Sequence, residues 1–343
     1  MVSAPLANVT DCAFRFMLAK YGKPDVMWTE FVSVDGLLHS PASFEKQKVL
    51  LRFSPIEHPI VVQLFGKDPQ KFYDAIPVVK SFGFDGVDIN MGCPDKVICK
   101  NGGGAALIKD MKLAQEIIKK CKMAAGDDFP VSVKTRIGYD QVEIEEWMEH
   151  LLDVEPAVLS VHLRTKKEMS AVPAKWDQQV IGKIVDMRRK AGSSTLIIGN
   201  GDVASIDEAQ QKISTFGIDG VMVGRGFFGT PWFFSGGTPE EDKIVEIVQE
   251  HIQIWEQSLG QIGVPFHFMR KHFKSYLSHI PGSSSFRHQL MLSKTAQEAN
   301  SILEELKQFI HNGKIKGNNH NSLNSLDSHN THGATDTYDD IVQ

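Results

Sequence analysis

Between residues 1 and 226 the chain repeats one pattern eight times: a short apolar run closed by turn residues, then a stretch of helical length. The runs are MVSAPL, DVMWTEFVS, PIVVQLFG, GVDINMG, VSVKTRIG, LSVHLRT, LIIGNGD and GVMVGRG. Strands separated in this way pair in parallel, because a parallel connection needs a crossover of about a dozen residues. Eight such units point to closure into a (β/α)8 TIM barrel, an α/β fold. The intervening segments agree. Residues 104–124 set Ala106, Leu107, Leu113, Ile117, Ile118 and Cys121 along a helical stripe, and residues 203–216 after Asp202 read as a capped helix.

The texture changes near Phe234, where SGGTPEED reads as a linker into a helix start. The barrel is therefore expected over residues 1–236. Beyond it Ile244, Val248, Ile252, Trp255 and Leu259 share one helical face, with further helices around 266–279 and 285–311, so a small all-helical domain is expected over 237–312. Residues 313–343 are rich in Asn, Ser, His, Thr and Gly and are expected to form a disordered polar tail. Its histidines are irregularly spaced and are assigned no metal.

Composition narrows the class. No apolar run approaches the roughly 18 residues of a membrane span, and MVSAPLANVTD lacks the basic and apolar regions of a signal peptide. A cytoplasmic protein without a membrane role is expected. Cys12, Cys93, Cys99 and Cys121 form no CxxC pair and no zinc-finger spacing, so reduced thiols and no metal site are expected. A net charge of −5 gives no overall basic excess, although Lys and Arg gather locally, as at Arg270, Lys271 and Lys274. Nothing specifies an oligomer, and a monomer is the expectation.

In a barrel of this kind, side chains at the C-terminal ends of the strands face one common mouth. The expected strand ends carry Ala4, Pro5 and Leu6, then Glu30, Gln63, Asn90 with Cys93, Lys134 with Arg136, His162 with Arg164, Asn200 with Asp202, and Gly224 with Arg225. Leaving so many polar groups unpaired would cost about 1–3 kcal/mol each, so a large polar ligand is the economical explanation. GNGD and GRG on the last two strands permit close backbone approach to a phosphate, which Arg225 can also bind. Lys134 suits a flavin, since a cation beside the pyrimidine edge stabilises charge that builds on reduction, and His162 can donate to the same edge.

The segment NMGCPDKVICKNGGGAAL sets Cys93 between Gly92 and Pro94 and ahead of Gly102–Gly104. Taken alone it fits either a buried structural thiol or a reactive group on a loop. Together the segments APLANVTDCAFR, QLFG, INMGCP, VKTRIG, HLRT with AKW, GNGD and DGVMVGRGFFGTPWFF resemble the tRNA-dihydrouridine synthases, and RKHFKSYLSHIPGS is similar to the helical-domain signature of that family. The resemblance covers about nine tenths of the chain.

It implies FMN as cofactor, NADPH or less readily NADH as the nicotinamide reductant, and tRNA as partner. It implies FMN contacts at Ala4, Pro5, Leu6, Gln63, Lys134, His162, Asn200, Gly201, Asp202, Gly224 and Arg225. Cys93 takes the place of the proton donor, Asn90 that of a contact to the target uracil, and Arg136 and Arg164 those of residues that hold the nucleotide. The implied reaction adds a hydride from flavin N5 to uracil C6 and a proton from Cys93 to C5. A thiol with an ordinary pKa of about 8.5 keeps its proton at neutral pH, where a carboxylate would be ionised. The resemblance also implies that the helical domain grips the RNA, through Arg270, Lys271 and Lys274.

Two departures stand out: Glu168, Met169 and Ser170 replace a pattern of Gln and an aromatic, and Leu6 stands where Met is common. A dihydroorotate or dihydropyrimidine dehydrogenase acting on a free pyrimidine shares an Asn-x-x-Cys-Pro setting and is the nearest alternative. A non-catalytic RNA-binding protein is the alternative of a different class.

Overall fold

The computed structural model describes residues 1–320. By internal contacts the chain divides at the SGGTPEED stretch into Met1–Thr238 and a second unit that begins at Pro239. The first unit carries eight parallel strands: β1 (Val2–Ser3), β2 (Met27–Ser33), β3 (Ile60–Phe65), β4 (Gly86–Met91), β5 (Val131–Arg136), β6 (Val158–His162), β7 (Leu196–Asn200) and β8 (Gly220–Val223). Each strand pairs with its neighbour in sequence from β2 to β8, and β8 pairs with β1. A bridge from Val2 to Val26, just before β2, brings the two edges together. The expected (β/α)8 architecture is therefore present.

Side-chain alternation along the strands divides the core in two. On β4, Val87, Ile89 and Met91 are fully buried beneath the helices, whereas Asp88 and Asn90 share the inner face. On β5 the outward Thr135 hydroxyl accepts from the Trp147 indole at 3.0 Å, and Ser132, Lys134 and Arg136 take the other face. The barrel thus has an apolar jacket and, toward the strand C-termini, a polar lumen.

The helices start at short polar caps. Asp68 accepts from the amides of Gln70 and Lys71 to open Pro69–Lys80, and Asp110 accepts from Leu113 to open Met111–Ala125. The stretch read as one helix over 104–124 is therefore a 3-10 turn, Gly104–Lys109, followed by a separately capped helix. Likewise the helix after β7 spans Ile206–Phe216 and is capped by Ser205, which accepts from the Glu208 amide. Asp202 is not its cap.

In the second unit the helix Glu241–Ser258 buries Ile244, Val248, Ile252 and Trp255. The expected 266–279 segment comprises a 3-10 turn, Phe266–Met269, and the helix Arg270–Leu277. The expected 285–311 helix is two, Ser284–Leu292 and Ala296–His320, separated where the Ser293 backbone turns extended. Of the polar tail expected to be disordered from 313, residues 313–320 instead continue the helix Ala296–His320, and the rest lies outside the described residues. No helix among the described residues is long and apolar enough to cross a membrane.

One buried ion pair braces the β1 end of the lumen. Arg15 is 1% exposed; its Nε donates to Glu57 at 2.7 Å and one terminal nitrogen donates to the Thr10 carbonyl at 2.7 Å. Thr10 Oγ1 in turn accepts from the Leu6 amide at 3.0 Å, so the pair holds the loop that follows β1. Removing one member of a buried pair strands the other charge, at a cost of about 3–5 kcal/mol. Urea unfolding of Glu57→Ala should show a loss in that range for the barrel unit, and a loss under about 1 kcal/mol would contradict it.

Candidate active site

The strand register sets the lumen side chains into rows. Gln63 lies opposite Asp88, Asp88 opposite Ser132, Asn90 opposite Lys134, Arg136 opposite His162, and His162 opposite Asn200. Hydrogen bonds run both along and across these rows. Gln63 Nε2 donates to Asp88 at 2.7 Å, Asn90 Nδ2 donates to Gln63 Oε1 at 2.9 Å, and Lys134 Nζ donates to Asn200 Oδ1 at 3.1 Å. Asn200 Nδ2 passes the contact on to the Met222 carbonyl at 2.8 Å.

A second network surrounds Asp202. One carboxylate oxygen accepts from Arg225 at 2.9 Å; the other accepts from Arg164 and from the Ala174 amide. Arg164 also donates to His162 Nε2 at 3.2 Å. A guanidinium has no acceptor, so His162 Nε2 must accept and Nδ1 carries the hydrogen. Burial, then Arg136, Lys134, Arg164 and Arg225, hold the His162 pKa well below its ordinary value, and the ring is neutral. The Trp176 indole donates to the Gly201 carbonyl at 2.7 Å and pins the same loop, where Gly201 adopts a φ of +128° that disfavours any side chain.

Burial first, and then Arg136, lower the Lys134 pKa to about 8 against the pull of Asp88 and Cys93. Asp88, fully buried, is raised to about 6 by burial, opposed by hydrogen bonds from Ser132 and Gln63. The mouth thus gathers Lys134, Arg136, Arg164 and Arg225 around a neutral imidazole, a donor set suited to an anionic, carbonyl-rich ligand.

Cys93 sits half-buried on the turn after β4. Its amide donates to Asn90 Oδ1 at 2.9 Å, the Gly92 amide donates to the same oxygen at 3.1 Å, and the Cys93 carbonyl accepts from the Ala105 amide at 2.9 Å. Gly104, at φ +57°, is needed there: a Cβ would lie 2.8 Å from the Cys93 carbonyl oxygen. Burial is the main reason that the Cys93 pKa is raised, and the thiol keeps its proton at neutral pH.

Some residues singled out from the sequence have different immediate partners. Arg136 is buried and braces two loops, its Nε donating to the Gly92 carbonyl at 2.7 Å and a terminal nitrogen to the Thr165 carbonyl at 3.1 Å. Glu30 accepts from the Asn8 amide and so holds the loop that carries Ala4, Pro5 and Leu6. Glu168, one of the departures, accepts from the Thr165 amide at 2.8 Å and pairs with Lys175, which gives it a structural task. Gly224 lies beside the Ala4 and Leu6 side chains, with room for a Cβ 3.8 Å from Ala4. Sequence reading did not assign a role to Ser132 or Trp176, and for Asp88 offered only an ion pair with Lys134. Asp88 was detectable as the one carboxylate in the strand Gly86–Met91.

Residues 2–312 match the sequence profile of the dihydrouridine synthase (Dus) family. The chain belongs to this family. Among its relatives, a protein of Staphylococcus aureus (strain Mu50 / ATCC 700699) named probable tRNA-dihydrouridine synthase is 36% identical over 309 residues, covering 89% of this chain and 92% of the relative. Probable tRNA-dihydrouridine synthase 2 of Bacillus subtilis (strain 168) is 35% identical over 310 residues, covering 90% of this chain and 94% of its own length. Solved structures share the barrel at low identity. A 2-naphthoyl-CoA reductase complex superposes with a TM-score of 0.52 at 13% identity over 68% of this chain and 47% of that one. Histamine dehydrogenase from Rhizobium sp. 4-9 gives 0.51 at 12% over 74% and 48%.

The direction of the thiol shift can be measured. Alkylation of Cys93 by iodoacetamide, followed by peptide mass mapping, should rise with pH to a midpoint above the ordinary thiol value of about 8.5. A midpoint below about 8 would show that the turn stabilises the thiolate instead.

Proposed function

We propose that this protein reduces uridine to 5,6-dihydrouridine in tRNA with FMN as its cofactor and NADPH as the reductant. The observation that carries the reading is the joint placement, at the barrel mouth, of a thiol kept protonated and a donor set built on Lys134, the neutral His162 ring and the Asp202-held arginines. When bound, the flavin would accept a hydride from the nicotinamide and deliver one to C6 of the base.

The side chains divide the remaining work. Lys134 and the Nδ1 hydrogen of His162 would face the pyrimidine edge of the flavin, with Asn200 orienting Lys134 and Gln63 adding a contact of its own. Gly201, Gly224 and Arg225 would receive the phosphate, and Ala4, Pro5 and Leu6 would line the isoalloxazine. Asn90 would meet the uracil. Cys93 holds a proton at Sγ and transfers it to C5 as charge develops there; a raised pKa keeps that proton in place at neutral pH. Arg164 would stay between Asp202 and the nucleotide. Arg136 is read as a brace of the Cys93 turn, with any nucleotide contact made from that position.

A uracil stacked in folded RNA hides C5 and C6, so the base would have to leave its stack to reach the mouth. Arg270, Lys271 and Lys274 share the helix Arg270–Leu277, where spacings of three and four residues set side chains on one face. They would bind phosphates, although Arg270 Nε also donates to the Ser293 carbonyl at 2.8 Å.

Cys93→Ala should retain bound flavin and its reduction by NADPH but lose dihydrouridine formation on tRNA by about 10²–10⁴-fold. Wild-type turnover in that variant would reject Cys93 as the acid, and turnover of free dihydroorotate without change in tRNA would reject the substrate class. Arg225→Ala should weaken FMN retention about 10- to 100-fold, as loss of a charged hydrogen bond implies. Unchanged affinity in a flavin titration would remove the phosphate assignment.

A further inference from the structure

We propose that Asp88, a residue with no exposed surface, is a positioning residue for Cys93, acting through a one-way hydrogen-bond chain that runs Asp88, Gln63, Asn90, Cys93. The proposal rests on the reading of Cys93 as the proton donor.

The argument begins with what each group can do. The two ends of a side-chain amide have nearly the same shape, so Gln63 and Asn90 could each be turned end for end at little steric cost. Their orientation has to come from a neighbour. An ionised carboxylate only accepts, so Asp88 requires Gln63 to present Nε2, which it does at 2.7 Å. Gln63 then has only Oε1 to offer Asn90, which answers with Nδ2 at 2.9 Å. Asn90 is left with Oδ1 toward the turn, where it accepts from the Gly92 amide at 3.1 Å and the Cys93 amide at 2.9 Å.

Reversing any link would reverse all that follow it. The Asn90 amino group would then confront two backbone donors, leaving buried N–H groups unpaired. The turn fixes one end of the chain, since the Gly92 and Cys93 amides can be met only by Asn90 Oδ1; Asp88 fixes the other end through Gln63. Arg136 secures the Gly92 carbonyl and Ala105 secures the Cys93 carbonyl, but both act on acceptors and neither touches Asn90. The chain carries a second consequence. With both Oδ1 lone pairs engaged, Asn90 can offer a base only a hydrogen-bond donor, the partner of a ring carbonyl.

Ser132 anchors the other end, its Oγ donating to Asp88 Oδ1 while lying 3.4 Å from the Val87 carbonyl. A hydroxyl can turn. In Asp88→Asn, Oδ1 can still accept from Gln63 while Nδ2 donates to Ser132 Oγ, whose hydrogen moves to the Val87 carbonyl. The polarity of the chain survives and the charge does not. In Asp88→Ala the Gln63 amino group loses its acceptor, so Gln63 can turn or withdraw and Asn90 loses the partner that holds its Nδ2.

The test compares the flavin-loaded variants. Asp88→Ala should lower single-turnover dihydrouridine formation about 100-fold, the size expected of a displaced reacting group, with flavin reduction by NADPH within about 3-fold of wild type. Asp88→Asn should stay within about 3-fold on both. Alkylation of Cys93 by iodoacetamide gives a second readout that needs no turnover: its rate should change in Asp88→Ala and not in Asp88→Asn. Gln63→Met, which breaks the middle link at similar volume, should reproduce the alkylation change if the alanine chain does not fold. Equal losses in Asp88→Asn and Asp88→Ala would overturn the proposal in favour of charge, and an unchanged Cys93 alkylation profile in Asp88→Ala and Gln63→Met would overturn it outright. Failure of the donor reading itself appears separately, as full activity in Cys93→Ala.

Discussion

Cations drawn into the end of a barrel have to be answered by acceptors, and two carboxylates shape everything around them in this protein. Asp202 gathers Arg164 and Arg225 at the rim, and Asp88 lies beneath the row that holds Lys134. Burial works against the charged form of both Lys134 and Asp88, as their opposite pKa shifts record. Such an arrangement persists in a folded protein because every member has a partner, and it leaves the mouth with a field that favours anions.

Around these two centres the barrel separates stability from chemistry. The outward faces of β3 to β8 are mostly buried hydrocarbon that packs under helices, while the inward faces carry amides, hydroxyls and charges toward the strand C-termini, beside an apolar cluster of Val2, Ala4, Trp28, Ile198 and Met222. The Arg15–Glu57 pair and the Glu30 contact to Asn8 hold the first loop. The Trp176 indole and Ser205 do the same for the loop after β7: one pins Gly201, the other caps the helix and so releases Asp202 to bind arginines.

The thiol follows the same division. Its turn is secured by backbone contacts from Ala105 and by the Arg136 guanidinium, with its orientation set by Asn90. Burial is then the main cause that keeps the sulfur protonated, with the Asp95 carboxylate charge adding to it. This suits a donor that must hold its proton until charge appears on the acceptor carbon.

Much of this was legible in the order of residues. Eight apolar runs at crossover spacing specify a parallel barrel, and a glycine-rich turn after a strand specifies where a backbone bends, because period, length and φ preference are local properties. Family membership was legible for the same reason, through motifs such as INMGCP and GNGD that sit at strand ends. The partners were not legible. That Asp202 bonds arginines rather than capping a helix, that Arg136 braces Gly92, and that Asp88 joins a hydrogen-bond chain through Gln63 and Asn90 all depend on register between strands distant in sequence. Residues at 63, 88, 132 and 134 become neighbours only when the sheet closes, and the direction of a hydrogen bond or the pKa of a buried group is a property of those neighbours alone.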